Sequence, residues 1–325
     1  MIGSLKLWKL SVAAFLMFWL ILVAGYGYWP LVREHLATAG VMIALSLVAG
    51  STPMGGGSVS FPILVYVFGE TPDDARHLGL CTQALGMTSA LLFILGRGTP
   101  IEKRVLVTSC AGAAAGMILG TFFAAPYLPR GIAKLLFSCL WMSFALITLA
   151  RHQEFCSYKG SPDLTWRRAM NIGVPLGLMG GVIASMIGVG LEMLLYMVLV
   201  LLLRCDLRVA VPTAVCAAAF TSIMGTGVHL LIGDVPLAIF GSWLAAAPLV
   251  IFGAPAGAVL VKRIPRTRLL SFVSALCVFQ FVCALWATSM GTAEWLVVAA
   301  TMLGANAIYF MLYRRGKRSA AMSAG

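Results

Sequence analysis

The sequence predicts an all-α polytopic membrane protein made of two inverted repeats, each a re-entrant or broken helix plus three spans, with extra N- and C-terminal helices. Three observations predict it. Of 325 residues, 61% are hydrophobic and 10% charged, and the mean hydropathy is +0.97, which excludes an ordinary soluble globule. Two glycine breaks, Gly50-Ser-Thr-Pro-Met-Gly-Gly-Gly-Ser-Val-Ser-Phe-Pro62 and Ala184-Ser-Met-Ile-Gly-Val-Gly-Leu-Glu-Met-Leu-Leu-Tyr196, lie inside long apolar segments, and a shift of 133 residues lays Gly55 and Gly57 on Gly188 and Gly190. Unwound backbone survives in a bilayer only where protein or a water-filled cavity satisfies it, and paired interruptions point to a transport site. Finally, if both broken segments are re-entrant, 19 of the 23 Lys and Arg fall on the side of the N-terminus, against 15 if both cross fully. The positive-inside rule favours the re-entrant plan. With three full spans each, the second half is then upside down relative to the first.

In chain order, residues 8–29 are apolar after Lys6 and Lys9 and end in Tyr26, Tyr28 and Trp29. No A-x-A site directly follows the run, so it is read as a retained helix and not a signal peptide. The first repeat covers 37–150. It holds the broken segment 37–69 and spans near 77–96, 104–125 and 131–150. A polar linker, 151–168, separates it from the second repeat, 169–290, with a broken segment at 170–203 and spans near 209–232, 236–261 and 268–288. A last helix at 293–313 leads to Arg314, Arg315, Lys317 and Arg318. Each arm of a broken segment, at about 14 residues, reaches about 21 Å, enough for the midplane but not the far side.

The net charge of +12 sits in short loops and tails, so it signals topology and not nucleic-acid binding. The eight cysteines show no CxxC pair and are expected as buried small hydrophobes, with no metal site. No cofactor is expected. The chain has no H-E-x-x-H, no G-x-S-x-G and no second intramembrane acid, so an enzyme is not expected.

The candidate substrate-binding residues are Thr52, Gly55, Gly56, Gly57, Ser58, Gln83, Ser185, Gly188, Gly190 and Thr213. Glycines let a ligand approach the main chain, and the N-terminus of a half-helix starting there offers unpaired N–H groups to an oxyanion. The alternative is that small residues simply allow close helix packing. Gln83 is an amide in mid-span that needs partners. Thr82, Thr88, Ser89, Thr221 and Ser222 also stand in the spans, where a hydroxyl can return to its own helix. Glu192, set among Leu191, Met193, Leu194 and Leu195, is an expensive acid at that depth. Proton coupling is one reading of it, and a protonated structural acid the other. Arg76, His77 and Arg97 mark membrane boundaries, and His229 is read as interfacial or structural, not as a ligand.

The run GSTPMGGGSVSFPIL, the Ala75-Arg76 step and Gln83-Ala-Leu-Gly-Met87 resemble the sulfite exporter TauE/SafE family, and GVGLEMLLY with Val211-Pro-Thr-Ala214 is similar to that family's other repeat. The resemblance covers roughly residues 40–290. It implies a secondary transporter moving sulfite, sulfonates or other small organic anions across the bacterial inner membrane. The second half departs from the family's glycine run, carrying Gly188-Val-Gly-Leu-Glu192 instead. The expected partners are a small anionic substrate and the lipid bilayer, with no nucleic acid; a homo-oligomer is compatible with the sequence. Both termini are expected in the cytoplasm. A cation channel or carrier is the competing function, since Glu192 and backbone carbonyls suit a cation.

Overall fold

A computed structural model describes residues 2–324 except 125, 126, 128, 129, 162, 163 and 289; for 2–4, 56–59, 62, 66, 72, 130, 131, 133, 134 and 319–324 it describes the backbone alone. All elements are helical. Eight helices among the described residues are long and apolar enough to cross a membrane. The first, α1 (Ile2–Gly25), is largely unburied. It leans on the bundle through two indole donors, Trp8 Nε1 to Ser89 Oγ (3.0 Å) and Trp19 Nε1 to the Leu244 carbonyl (2.8 Å).

After the short α2 (Trp29–Glu34) comes the first broken segment, α3 (Leu36–Ser51) and α4 (Gly55–Tyr66). The break follows from the sequence. Pro53 disfavours helical backbone at the residue before it, and Thr52 is extended (φ −134°, ψ 160°). Gly55 then takes φ +64°, a region open to glycine at little cost. The second break, between α9 (Trp166–Ile187) and α10 (Leu191–Leu201), has Gly188 at φ +83° as the left-handed end of α9. It works without a proline.

Both segments fold back on themselves as helical hairpins. Gly190 and Leu191 fold straight back on α9: a Cβ on Gly190 would lie 2.5 Å from the Gly180 carbonyl oxygen. The start of α9 and the end of α10 share one face of the molecule, where the Asp206 amide donates to Gly160 O (2.9 Å) and Arg204 donates to Glu154 (3.1 Å). The ends of the first segment share the other face, with His35 beside Ser242 (3.0 Å) and Arg76 and His77 beside Asp234. One expectation is corrected. The arms are unequal, since α9 has 22 residues and α10 has 11. At 1.5 Å per residue α9 is about 33 Å long, enough to span, and only the return of α10 shows that the segment turns back.

At the positions expected for plain spans stand α5 (Pro72–Gly96), α6 (Lys103–Leu119, running into a π turn at Gly120–Ala124) and α7 (Arg130–Ala150) in the first half; the described apolar stretch of α7, Leu135–Ala150, is shorter than the eight long helices. A short α8 (His152–Ser157) lies in the linker. The second half has α11 (Leu207–Ile232), α12 (Phe240–Arg263) and α13 (Arg266–Ala287), and α14 (Thr292–Ala324) packs on α7. Part of the short loop between α6 and α7, which the sequence marks with Pro126 and Pro129, lies outside the described residues.

Helices pair in matched couples. The long arm α9 packs against α6 of the first half, and α3 packs against α12 of the second; α5 faces α11, and α7 faces α13. Each short arm lies on the span that follows it, α4 on α5 and α10 on α11. This exchange of hairpins is what two upside-down copies give. Small residues make it possible, because helices in lipid associate through close van der Waals packing. A Cβ on Gly177 would lie 2.0 Å from the Ser109 carbonyl oxygen, and one on Gly257 would lie 2.2 Å from that of Leu47. All eight cysteines are buried or half-buried.

Candidate functional site

The two breaks bring one cluster together in the middle of the molecule. Glu192 stands in the first turn of α10 and is fully buried. It lies against the start of α4: a side chain added at Gly55 would begin 2.8 Å from Glu192 Oε1 and 3.2 Å from the Gln83 amide oxygen. Gln83, buried on α5, and Thr221, buried on α11, are both placed beside the carboxyl. Glu192 Oε2 accepts from the Gly190 amide at 3.3 Å. Oε1 has Gln83 and Thr221 close by, but no well-aligned donor among the described residues.

Electrostatically, the carboxyl sits where two helices begin, α4 and α10. The partial positive charge of a helix N-terminus favours an anionic group there. No ion-pair partner for Glu192 occurs among the described residues, so these helix ends and the Gln83 and Thr221 side chains take that role.

Under the first tip is a cavity of about 20 Å³, lined by Gln83, Thr82, Ser60, Ser46, Gly86 and apolar side chains from α3 and α12. That is room for roughly one water molecule. The Ser60 hydroxyl is buried there with no hydrogen-bond partner among the described residues.

The other expected residues divide. Gly188 is at the second tip, against Leu80 and the Arg76 stem. Gly190 supplies the amide bonded to Glu192. Thr52 is buried at the first tip, its hydroxyl donating to the Val48 carbonyl of its own helix (2.9 Å). Gly56, Gly57 and Ser58 belong to the first turn of α4, but their surroundings and the Ser58 side chain lie outside the described residues.

Ser185 and Thr213 are elsewhere. Ser185 donates to Val182 O (2.7 Å), and its Oγ packs over Gly120 in the π turn of α6. Thr213 accepts from the Glu102 amide (3.0 Å) and supports the turn before α6. The hydroxyl that α11 brings to the cluster is Thr221, eight residues further along the same helix. Its signal in the sequence was only that spacing, and its bond to Ala217 O (3.1 Å) is the local arrangement expected of a mid-span threonine.

The family model described as Sulfite exporter TauE/SafE matches residues 36–284. The match begins at α3 and ends within α13, so it contains both hairpins, the first five plain helices of the two halves and most of the sixth. No match to the chain was found among curated proteins or among solved structures.

Proposed function

Because the chain belongs to the sulfite exporter TauE/SafE family and is therefore a membrane transporter, we propose that it moves small sulfite- or organosulfonate-type anions across the bacterial inner membrane, binding them where the first glycine turn meets Glu192. One observation carries the proposal: two half-helices begin around a single buried carboxyl, with a side-chain amide and a hydroxyl beside it. A helix start is a ready oxyanion site, and here a carboxyl of the protein holds the place a substrate oxyanion would take.

Coupling follows from that competition. An ionised Glu192 repels an incoming anion, whereas a protonated one can donate a hydrogen bond to it. The anion then travels with one proton, and Glu192 is the coupling residue. The 20 Å³ cavity belongs to a closed form, so hairpin tips must part for substrate to enter. By the positive-inside rule we assign both termini to the cytoplasm, on the side of the basic residues Lys103, Arg151, Lys159, Arg204 and Arg266.

The test is uptake into proteoliposomes with sulfite, sulfonate, proton and sodium gradients varied one at a time. Sulfite or sulfonate flux that carries protons supports the proposal, and flux of sodium alone overturns it. The buried carboxyl without an ion-pair partner favours a cation carrier or channel as the second reading, and the same experiment decides between them.

A further inference from the structure

We propose that His77, His229 and Asp234 form a binding site for a divalent transition-metal ion of the zinc type, joining the two halves of the molecule at the face where the first hairpin enters. His77 lies near the start of α5 and His229 near the end of α11, and both rings are buried at 3% and 4% exposure. Gly233, at φ +74°, ends α11. It turns the chain so that the Asp234 amide donates to His229 O (3.2 Å) and the Asp234 carboxylate comes back over the rings.

The ligand atoms are already gathered. His229 Nδ1 lies 2.9 Å from Asp234 Oδ1, His77 Nε2 lies 3.6 Å from the same oxygen, and all three candidate atoms are within 4.8 Å of one another. With metal–ligand bonds of about 2.0–2.2 Å, tetrahedral ligand atoms stand about 3.3–3.5 Å apart. The first two separations bracket that value.

His77 is also set up as a ligand. Its Nδ1 is 2.9 Å from the Asp73 carbonyl oxygen, which can only accept, so Nδ1 carries the proton and Nε2 keeps its lone pair for the site. Such an outer hydrogen bond orients a metal-binding histidine. His229 Nε2 is buried with no hydrogen-bond partner among the described residues, so the ring can turn either nitrogen to the ion at little loss.

Charge favours a dication. Asp73, Asp74 and Asp234 surround the site, and Arg76 is the one cation beside them among the described residues. Arg76 Nη2 donates to His77 Nε2 at 3.1 Å and has to yield when metal binds. Asp73 at 3.9 Å and the far oxygen of Asp234 at 4.0 Å are within its reach. Three protein ligands leave a fourth position, on the open side of Asp234, for water or a small anion.

The experiment uses the full, untagged chain in detergent, stripped with chelator and titrated with Co²⁺ and then Zn²⁺. The expected result is one Co²⁺ per chain with the visible d–d bands of a nitrogen–oxygen site, displaced by Zn²⁺, and a Tm raised by Zn²⁺. His77→Gln and His229→Gln should each weaken binding by more than about 100-fold, beyond the roughly 10–100-fold that outer-shell changes cost. His35→Gln, away from the cluster, should leave it unchanged. Unmodified protein gives an independent reading, because Zn²⁺ should protect His77 and His229, and not His152, from diethyl pyrocarbonate. Absence of a cobalt spectrum, a thiolate charge-transfer band, equal binding by the histidine variants, or failure of Zn²⁺ to protect the two rings would each overturn the site. The readout is metal binding and not transport, so the result is independent of which anion is carried.

Discussion

At Glu192 the chemistry turns on one carboxyl shared between two helix starts. Glu192→Gln keeps the shape and the hydrogen-bond donor but removes the ionisable group. Anion exchange should persist in this variant while its dependence on pH and on a proton gradient disappears, as read by flux in proteoliposomes over pH 5–8. Unchanged pH dependence would return Glu192 to a purely structural role. Gly55→Ala is the complementary change. Its φ of +64° costs a non-glycine residue about 1–2 kcal/mol, and the new methyl would meet the Glu192 and Gln83 side chains. Transport should fall by at least about tenfold, the equivalent of 1.4 kcal/mol, with the protein still folded by size-exclusion. Gly55, Gln83, Gly190 and Glu192 were legible in the sequence because a glycine break, a mid-span amide and an intramembrane acid are each anomalous alone. Thr221 was not, because a threonine that bonds its own helix looks the same whether or not it also faces a site.

Among the helices, interlocking small residues hold each long arm in place. On α9, Gly173, Gly177 and Gly181 face Thr108, Ser109 and Ala113 of α6, with no space for a Cβ. Gly177→Val should destabilise the fold by about 1–3 kcal/mol, the usual cost of overpacking, seen as a lower Tm in detergent. The cap of α11 should respond to acid. Partial burial alone would push the Asp206 carboxyl up, but the bidentate Arg266 guanidinium and the Arg208 amide outweigh it and hold Asp206 below its ordinary 3.8. A carboxylate held low in the folded state adds stability above its unfolded pKa, and that contribution is lost as pH falls through the lower folded value. Asp206→Asn should therefore lower Tm at pH 7 and make little difference well below pH 3.8. Element positions followed closely from apolar run lengths and the polar stretches between them. The unequal arms of the second hairpin did not, since a long apolar helix has the same pattern whether it exits the far side or stops beneath it.

For the whole molecule, the pairing of helices makes a definite prediction about sides. Single cysteines placed at Glu34 and Glu70 should react with an impermeant maleimide from one face of the membrane, and those at Lys159 and Arg204 from the other. Labelling of residues 34 and 70 from opposite faces would break the re-entrant plan. The sequence by itself determined that this is a membrane protein of two similar halves, where each half is interrupted, and which face carries the basic loops. Composition, backbone breakers and loop charge are properties of residues and their near neighbours, so they survive in one dimension. The tertiary structure alone decided that Thr221 and not Thr213 stands beside Glu192, that Ser185 packs on α6, and that His77 meets His229 over Asp234. Those meetings depend on how the hairpins are exchanged between halves and on which face each helix turns inward, and small residues that fit many partners set both only when the whole bundle closes.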